Sequence, residues 1–132
     1  MEMVLPITLC AAAAAAILNF WLSTRVGMVR RASLIAHGDG GNAQLGRRMR
    51  AHTNFVEYTP FILILCAAIE LAGRGGLVLS GVMGVYFLAR IAHAVGMDGD
   101  AVPKTRVVGI AVTFLTLLGL AIYAVLIAAR IL

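Results

Sequence analysis

Four long apolar runs occupy most of this chain of 132 residues and restrict it to very few folds. The runs cover, approximately, residues 3–24, 52–72, 76–97 and 107–129. The hydrocarbon core of a bilayer is about 30 Å thick and is crossed by roughly 20 helical residues. The sequence therefore predicts an all-α integral membrane protein, an antiparallel four-helix transmembrane bundle that forms a single domain over residues 1–132.

The composition agrees with a membrane protein and argues against a nucleic-acid-binding one. Hydrophobic residues make up 61% of the chain and charged residues 13%. The formal net charge is +5, which by itself would be compatible with nucleic-acid binding. However, the arginines lie beside the apolar runs, where basic residues orient a protein in the membrane or contact lipid headgroups. We therefore expect membrane lipids as partners, and no nucleic acid.

The basic residues fall in two of the three connections between the runs. These residues are Arg25, Arg30, Arg31, Arg47, Arg48 and Arg50 in the first connection, and Lys104 and Arg106 in the third. Basic loops usually face the cytoplasm, so both termini are predicted to lie on the opposite side. The second connection is short and contains Gly73, Gly75 and Gly76, which predict a tight turn between antiparallel helices.

Polar residues interrupt the second and third apolar runs. Asn54 and Glu57 lie in the second run, with Arg50 one turn before them and Tyr58 beside them. Arg50, Asn54 and Glu57 are spaced i, i+4 and i+7, which places them on one stripe of a helix. Ionisable groups at membrane depth are costly and usually face a bundle interior or a water-filled cavity, so they indicate a functional site.

The third and fourth runs add basic groups near the same predicted end of the bundle. Arg90 and His93 are three residues apart and share a helix face, and Arg106 begins the fourth run. Together with the second-run residues they predict a basic pocket with a single carboxylate. Such a pocket suits a small peptide-like molecule with several carboxylates, because arginine binds carboxylates in a bidentate manner. An arginine in a site of low dielectric would also lower the pKa of a thiol.

A purely structural interpretation of these residues stays open. Glu57 and Arg90 could pair with each other across the helices, and Asn54 could be an interhelical hydrogen bond worth about 1 kcal/mol or less. Glu70 is expected to reach the membrane interface. Arg25, Arg31 and Arg48 are most simply cytoplasmic anchors. The two cysteines lie in apolar runs without metal-ligand spacing, so neither a metal site nor a disulfide is predicted.

Residues 50–60 resemble the signature of a known superfamily. They read RAHTNFVEYTP and are similar to the pattern R-A-x-x-N-x-x-E-Y-x-P of the MAPEG superfamily, membrane-associated proteins of eicosanoid and glutathione metabolism. Residues 90–93, RIAH, resemble the R-x-x-H of the third helix of prostaglandin synthases in this superfamily. Arg106 stands where the superfamily places an arginine that begins the fourth helix. The resemblance covers roughly residues 20–130.

The resemblance implies a homotrimer that binds glutathione between neighbouring subunits, near the cytoplasmic side of a bacterial inner membrane. It implies that Arg106 lies near the sulfur and stabilises the thiolate. The residues implied to bind glutathione are Arg30, Arg50, Asn54, Glu57, Tyr58, Arg90 and His93. The lipophilic co-substrate would then reach the site from the bilayer.

Three positions depart from the eicosanoid-synthase pattern. Met97 and Ile110 stand where tyrosines are common, and Val107 stands where the prostaglandin synthase has a serine. These departures argue against a specialised eicosanoid synthase. The sequence instead favours a glutathione transferase or peroxidase that acts on lipophilic electrophiles or hydroperoxides. The alternative is a non-enzymatic lipid-binding or scaffold protein. A small proton-coupled exporter is disfavoured, because residues 3–24 contain no charge.

Overall fold

A computed structural model describes residues 4–132 of the chain. It contains four α-helices, which are α1 (Pro6–Ser33), α2 (Ala43–Ile69), α3 (Leu77–Gly96) and α4 (Lys104–Ala128). α2 is followed by a turn, Glu70–Arg74, in which Gly73 departs from helical geometry. Each helix is long and apolar enough to cross a membrane, and the described residues form no strand. The predicted all-α fold with four spans is therefore confirmed. The predicted start of the first span, residue 3, lies outside the described residues.

The first two helices extend beyond their apolar runs. A short loop, residues 34–42, connects them. The run marks the part of the helix in hydrocarbon, whereas arginine and other good helix formers continue the helix into the polar region. Leu34 ends α1 in the left-handed conformation, and its N–H donates to the carbonyl of Arg30. The Asn42 side chain accepts from the N–H of Leu45, which is 3.0 Å away, and caps α2.

The predicted glycine turn connects α2 to α3. Gly73 has a φ of +76° and Gly76 a φ of +144°, which are values that residues with a side chain rarely adopt. We call the end of the bundle that carries this turn the glycine end. The opposite end carries the loops formed by residues 34–42 and 97–103, and we call it the basic end.

The helices pack as a bundle in which α1 lies against α2 and α3, and α4 lies against α3 and α2. Buried side chains from all four helices meet between them in one apolar cluster. Its members are Ala11, Ile62, Cys66, Ile69, Leu79, Met83, Tyr86 and Leu120. Burial of these side chains against each other fixes which face of each helix points inward, and so which polar residues point inward with them.

Near the basic end, α3 and α4 touch through glycines. A Cβ atom added to Gly109 would lie 2.5 Å from the Cβ of His93 and 2.7 Å from the carbonyl oxygen of Ala89. One added to Gly96 would lie 2.7 Å from the backbone nitrogen of Arg106. Small residues permit such close approach of membrane helices. The start of α4 is therefore fixed directly against the end of α3.

At the glycine end, Glu70 caps a helix from a distant part of the chain. Its carboxylate accepts from the backbone N–H groups of Ile7 and Thr8, at 2.9 and 2.8 Å, and from the Thr8 hydroxyl at 2.7 Å. Leu5, the residue before α1, provides no side-chain cap of its own. The carboxylate thus satisfies exposed N–H groups and opposes the positive end of the helix dipole. This specific role was not expected from the sequence, which suggested only that Glu70 reaches the interface.

Candidate functional site

Arg90 forms the centre of a buried polar cluster that joins three helices. Its side chain is almost completely buried, and the residue is 1% exposed. One terminal nitrogen donates to Asn54 Oδ1 on α2 at 2.7 Å, and the other donates to Thr113 Oγ1 on α4 at 3.1 Å. The Thr113 hydroxyl in turn donates to the carbonyl of Gly109 at 2.9 Å. The guanidinium of this α3 residue is therefore held in one orientation by groups from α2 and α4.

The hydrogen-bond partners of the Arg90 guanidinium are neutral groups. Residues 4–132 form four ion pairs, and none of them includes Arg90. Its Nε atom is buried and meets no acceptor within the same residues. The ring of Phe55 lies 5.9 Å from the guanidinium carbon, at the outer limit of a cation–π contact. A buried cation without a counter-ion is costly, so this position favours the arrival of an anion.

His93 connects this cluster to the start of α4. The residue is 4% exposed, and its Nδ1 lies 3.0 Å from the carbonyl oxygen of Arg106. A carbonyl oxygen only accepts, so Nδ1 carries the proton and a neutral ring leaves Nε2 as an acceptor. The contact is short because Gly109 has no side chain to separate the helices. His93 thereby fixes the backbone of Arg106 one turn from the buried cluster.

Arg106 lies in the first turn of α4 and is partly buried. Its backbone N–H donates to the carbonyl of Pro103 at 3.1 Å. Within residues 4–132 its guanidinium forms neither an ion pair nor a hydrogen bond. The backbone of this arginine is thus fixed, while its charged group remains available.

The structure separates the predicted stripe on α2 into an inner and an outer part. Asn54 is buried, whereas Arg50 and Glu57 are exposed and form an ion pair with each other at 3.1 Å. Tyr58 is half-buried and makes an edge-to-face contact with Phe114 of α4, with ring centroids 5.4 Å apart. The alternative pairing of Glu57 with Arg90 is not formed.

Arg30 lies apart from the Arg90 cluster and contacts the loop after α1. Its guanidinium donates to the carbonyl of Gly38 at 2.7 Å and lies 3.4 Å from the sulfur of Met49. Within residues 4–132 none of its hydrogen bonds goes to another predicted site residue. Of the eight predicted residues, the structure directly connects Asn54 with Arg90, His93 with Arg106, and Arg50 with Glu57.

Asp98 is a residue that sequence reasoning missed. It pairs with Arg25, which is only 7% exposed, and with Arg48 Nε at 3.3 Å. Arg25 also donates to the carbonyl of Ala94 at 3.3 Å and stacks over Trp21, whose ring centroid is 4.6 Å away. We call Arg25, Arg48 and Asp98 the Asp98 cluster. It ties α1, α2 and the loop before α4 together, so Arg25 and Arg48 are more than surface anchors.

One further ion pair lies at the surface, and one pair of hydroxyl groups is buried. Arg47 pairs with Asp100 in the same loop. The Thr59 hydroxyl lies 2.7 Å from that of Tyr86, which is fully buried. The sequence contained one indication of these contacts. Asp98 and Asp100 are acids in the connection between the third and fourth spans, whereas the connection between the first and second spans is strongly basic. Thr59 and Thr113 carried no such signal, since a hydroxyl in an apolar run is unremarkable.

These features define a class of protein, an integral membrane four-helix bundle with a buried arginine site near one end. The comparison with protein families is more specific, because the model of the MAPEG family matches residues 8–126, nearly the whole chain. The chain belongs to the MAPEG family. This family includes glutathione transferases as well as members that are not enzymes. A comparison with curated proteins found no match.

Proposed function

We propose that this chain is a membrane-bound glutathione transferase or peroxidase that acts on lipophilic electrophiles or hydroperoxides. The observation that carries the proposal is the buried guanidinium of Arg90, which has no acidic partner among residues 4–132. A positive charge at membrane depth that is held only by Asn54 and Thr113 favours an anionic ligand. Membership of the MAPEG family supports a ligand of the glutathione type.

The residues present fit glutathione, a tripeptide with two carboxylates, one ammonium group and one thiol. The unpaired Nε of Arg90 is a buried donor suited to a carboxylate. His93 Nε2 is an acceptor suited to a peptide N–H. Glu57 could exchange its partner Arg50 for the ammonium group, while Arg50 takes a carboxylate. We assign Tyr58 to the wall of this site and Arg30 to its edge.

Arg106 is the residue to which we assign the chemical role. When bound, glutathione would supply a thiol that reacts with electrophiles or hydroperoxides as its thiolate. Arg106 would stabilise the negative charge on sulfur, because its guanidinium has no other partner within the described chain. The His93 contact of 3.0 Å holds the backbone from which this side chain extends. The protein forms no covalent intermediate in this scheme.

The proposal includes a homotrimer in the bacterial inner membrane with the site facing the cytoplasm. Arg50 and Glu57 are exposed on the outer face of α2, within a helix that is long and apolar enough to cross the membrane. Charged groups at that depth normally face protein or water rather than lipid. A neighbouring subunit that covers this face would complete the site. A native mass of three times 13.9 kDa in detergent would support the trimer.

The experiment that tests the enzymatic proposal compares Arg106→Ala with Lys104→Ala. Lys104 is a matched control because it lies in the same helical turn and is exposed. With glutathione and a model electrophile, the parent protein should show thiolate absorbance and conjugation. Removal of one positioned charge-stabilising group typically costs about 10²–10³ in rate, and we expect this loss for Arg106→Ala only. Turnover of Arg106→Ala at the parent rate would reject the assignment.

A second candidate function is non-enzymatic binding of glutathione or lipid. Met97 is 5% exposed and apolar at a position where the eicosanoid enzymes often place a tyrosine, so this position adds no hydrogen bond to the site. Saturable glutathione binding without conjugation or peroxide reduction would favour this candidate. In that case the Arg106→Ala variant should bind glutathione more weakly, and neither it nor the parent protein should show turnover.

A further inference from the structure

A large apolar groove lies between α3 and α4 toward the glycine end. Its volume is about 1000 Å³, at the upper end of the range of roughly 300–1,000 Å³ that is usual for small-ligand sites. The walls consist mainly of leucine, valine and glycine residues from the two helices. Gly81 and Val85 line it from α3, and Leu115 and Gly119 line it from α4. Nothing in the proposed glutathione site uses this groove, which lies toward the other end of the bundle.

Glycine residues have different surroundings at the two ends of the α3–α4 contact. Near the basic end, Gly96 and Gly109 leave no space for even one added carbon atom. Toward the glycine end, a Cβ atom added to Gly81 or Gly119 would meet no atom within 4 Å. Glycine permits close contact in the first case and leaves open space in the second. The absence of side chains at Gly81 and Gly119 therefore leaves room for the groove.

One positive charge stands at the mouth of this groove. Among residues 4–132, Arg74 is the only charged residue that lines it, and no carboxylate does. Arg74 is exposed and takes part in none of the four ion pairs of residues 4–132. The groove therefore combines an apolar interior with one exposed cation that forms no ion pair within residues 4–132.

We propose that this groove binds one anionic phospholipid, with an acyl chain between α3 and α4 and the headgroup phosphate on Arg74. The charge complementarity selects this occupant, because a neutral lipophile would leave Arg74 without a partner. Arginine also binds phosphate in a bidentate manner. A zwitterionic headgroup carries the same phosphate together with a cation that Arg74 repels, and an uncharged headgroup has no phosphate. The proposal is independent of the proposed glutathione chemistry.

The first test measures which lipid the protein retains. The full-length protein is equilibrated in detergent with equal amounts of phosphatidylglycerol and phosphatidylcholine with identical acyl chains, and lipid adducts are counted by native mass spectrometry. We expect about a fivefold preference for phosphatidylglycerol, the factor typical of one basic residue. Arg74→Gln should abolish the preference. Arg130→Gln should keep it, since Arg130 is exposed at the same end but does not line the groove.

The second test fills the groove. Gly81→Leu places a side chain in it, whereas Gly84→Leu places the same side chain on another face of α3, beside a separate cavity. Both positions have open space, so both variants should fold. Gly81→Leu should reduce retention of both lipids several-fold relative to Gly84→Leu. Equal retention by these two variants, or loss of the preference in Arg130→Gln as well as Arg74→Gln, would overturn the proposal.

Discussion

The hydrogen bond between Arg90 and Asn54 holds a charge at membrane depth without a carboxylate. Its length of 2.7 Å is typical of a charge-assisted bond, and both residues are buried. Hydrogen bonds to charged groups contribute about 1.5–3 kcal/mol. We therefore expect Asn54→Ala to lower the free energy of unfolding by about 2 kcal/mol, measured by denaturation in detergent. An unchanged stability would mean that Arg90 has another partner.

A companion variant separates this structural role from ligand binding. Asn54→Asp keeps an acceptor in place and adds a counter-ion, so the fold should be at least as stable as that of Asn54→Ala. The new carboxylate would compete with an anionic ligand for Arg90. We expect glutathione to bind Asn54→Asp more weakly than the parent protein, as measured by calorimetry. Equal affinity would argue that the ligand does not use Arg90.

At the scale of residues, the sequence predicted that Asn54, Arg90 and His93 face the bundle interior, where all three are buried, but it predicted only some of their partners. Asn54, Arg90 and His93 were singled out because polar groups in apolar runs are rare. Their actual contacts depend on Thr113 and the Arg106 carbonyl, which hydropathy cannot distinguish from their neighbours. The outward position of Arg50 and Glu57 also depends on how the helices are rotated, and spacing along one helix does not determine that rotation.

At the scale of elements, the contact of α3 with α4 depends on Gly109. An alanine there would bring its Cβ to 2.5 Å from the Cβ of His93 and would push the two helices apart. Overpacking of this kind typically costs about 1–3 kcal/mol. We expect Gly109→Ala to lose stability in detergent and, because Arg106 moves, to lose the glutathione-dependent turnover that we propose.

The matched control is Gly119→Ala in the same helix. Gly119 has open space around it, and alanine favours helix by up to about 1 kcal/mol over glycine. This variant should be as stable as the parent protein or slightly more stable. If both alanine variants behaved alike, close packing at Gly109 would not be what positions α4.

Glu70 provides the second test at this scale. Its carboxylate accepts three hydrogen bonds at the start of α1, from Ile7 and Thr8. Glu70→Gln removes the charge and part of the acceptor capacity, and loss of a helix cap typically costs about 1 kcal/mol. Hydrogen exchange should accelerate at the amides of Ile7 and Thr8. Thr8→Val, which removes only the hydroxyl bond, should accelerate exchange less, and the reverse order would contradict this assignment.

The length and hydropathy of the apolar runs were enough to predict the four helices, but not where they end. α1 continues to Ser33 and α2 begins at Ala43, because a helix does not stop where the hydrocarbon stops. The cap of α1 could not be found from local sequence, since Glu70 lies 62 residues from Thr8. The glycine turn was predictable because glycine adopts positive φ angles readily, as it does at Gly73 and Gly76.

At the scale of the whole molecule, the alternation of spans and loops predicted an antiparallel bundle, and the family match agrees with it. Apart from the two helices joined by the glycine turn, which helices are neighbours could not be predicted, because apolar faces without strong periodicity fit several arrangements. In the structure, α4 lies against α2 and α3, and the Asp98 cluster joins α1 and α2 to the loop before α4. This cluster links the helices that carry Arg90, Asn54 and Arg106 to the first helix.

The Asp98 cluster is expected to stabilise the whole bundle, because Asp98 neutralises the buried Arg25. Removal of one partner from a buried ion pair costs about 3–5 kcal/mol. Asp98 itself is 37% exposed, which reduces the effect, so we expect Asp98→Asn to cost about 2 kcal/mol in detergent. Arg106 should also be less well positioned, and glutathione-dependent turnover should fall with it.

Asp100→Asn is the control within the same loop. Asp100 pairs with Arg47, but its side chain is 91% exposed, and exposed pairs contribute at most about 1 kcal/mol. High salt should weaken that contribution further, whereas the partly buried pair at Asp98 is screened less. The ratio of the two losses should therefore grow as salt increases. The contrary result is that the two variants lose similar amounts of stability and that both losses decrease equally with salt. That result would show that the Asp98 cluster is a surface contact. The loop before α4 would then be held by the glycine packing alone.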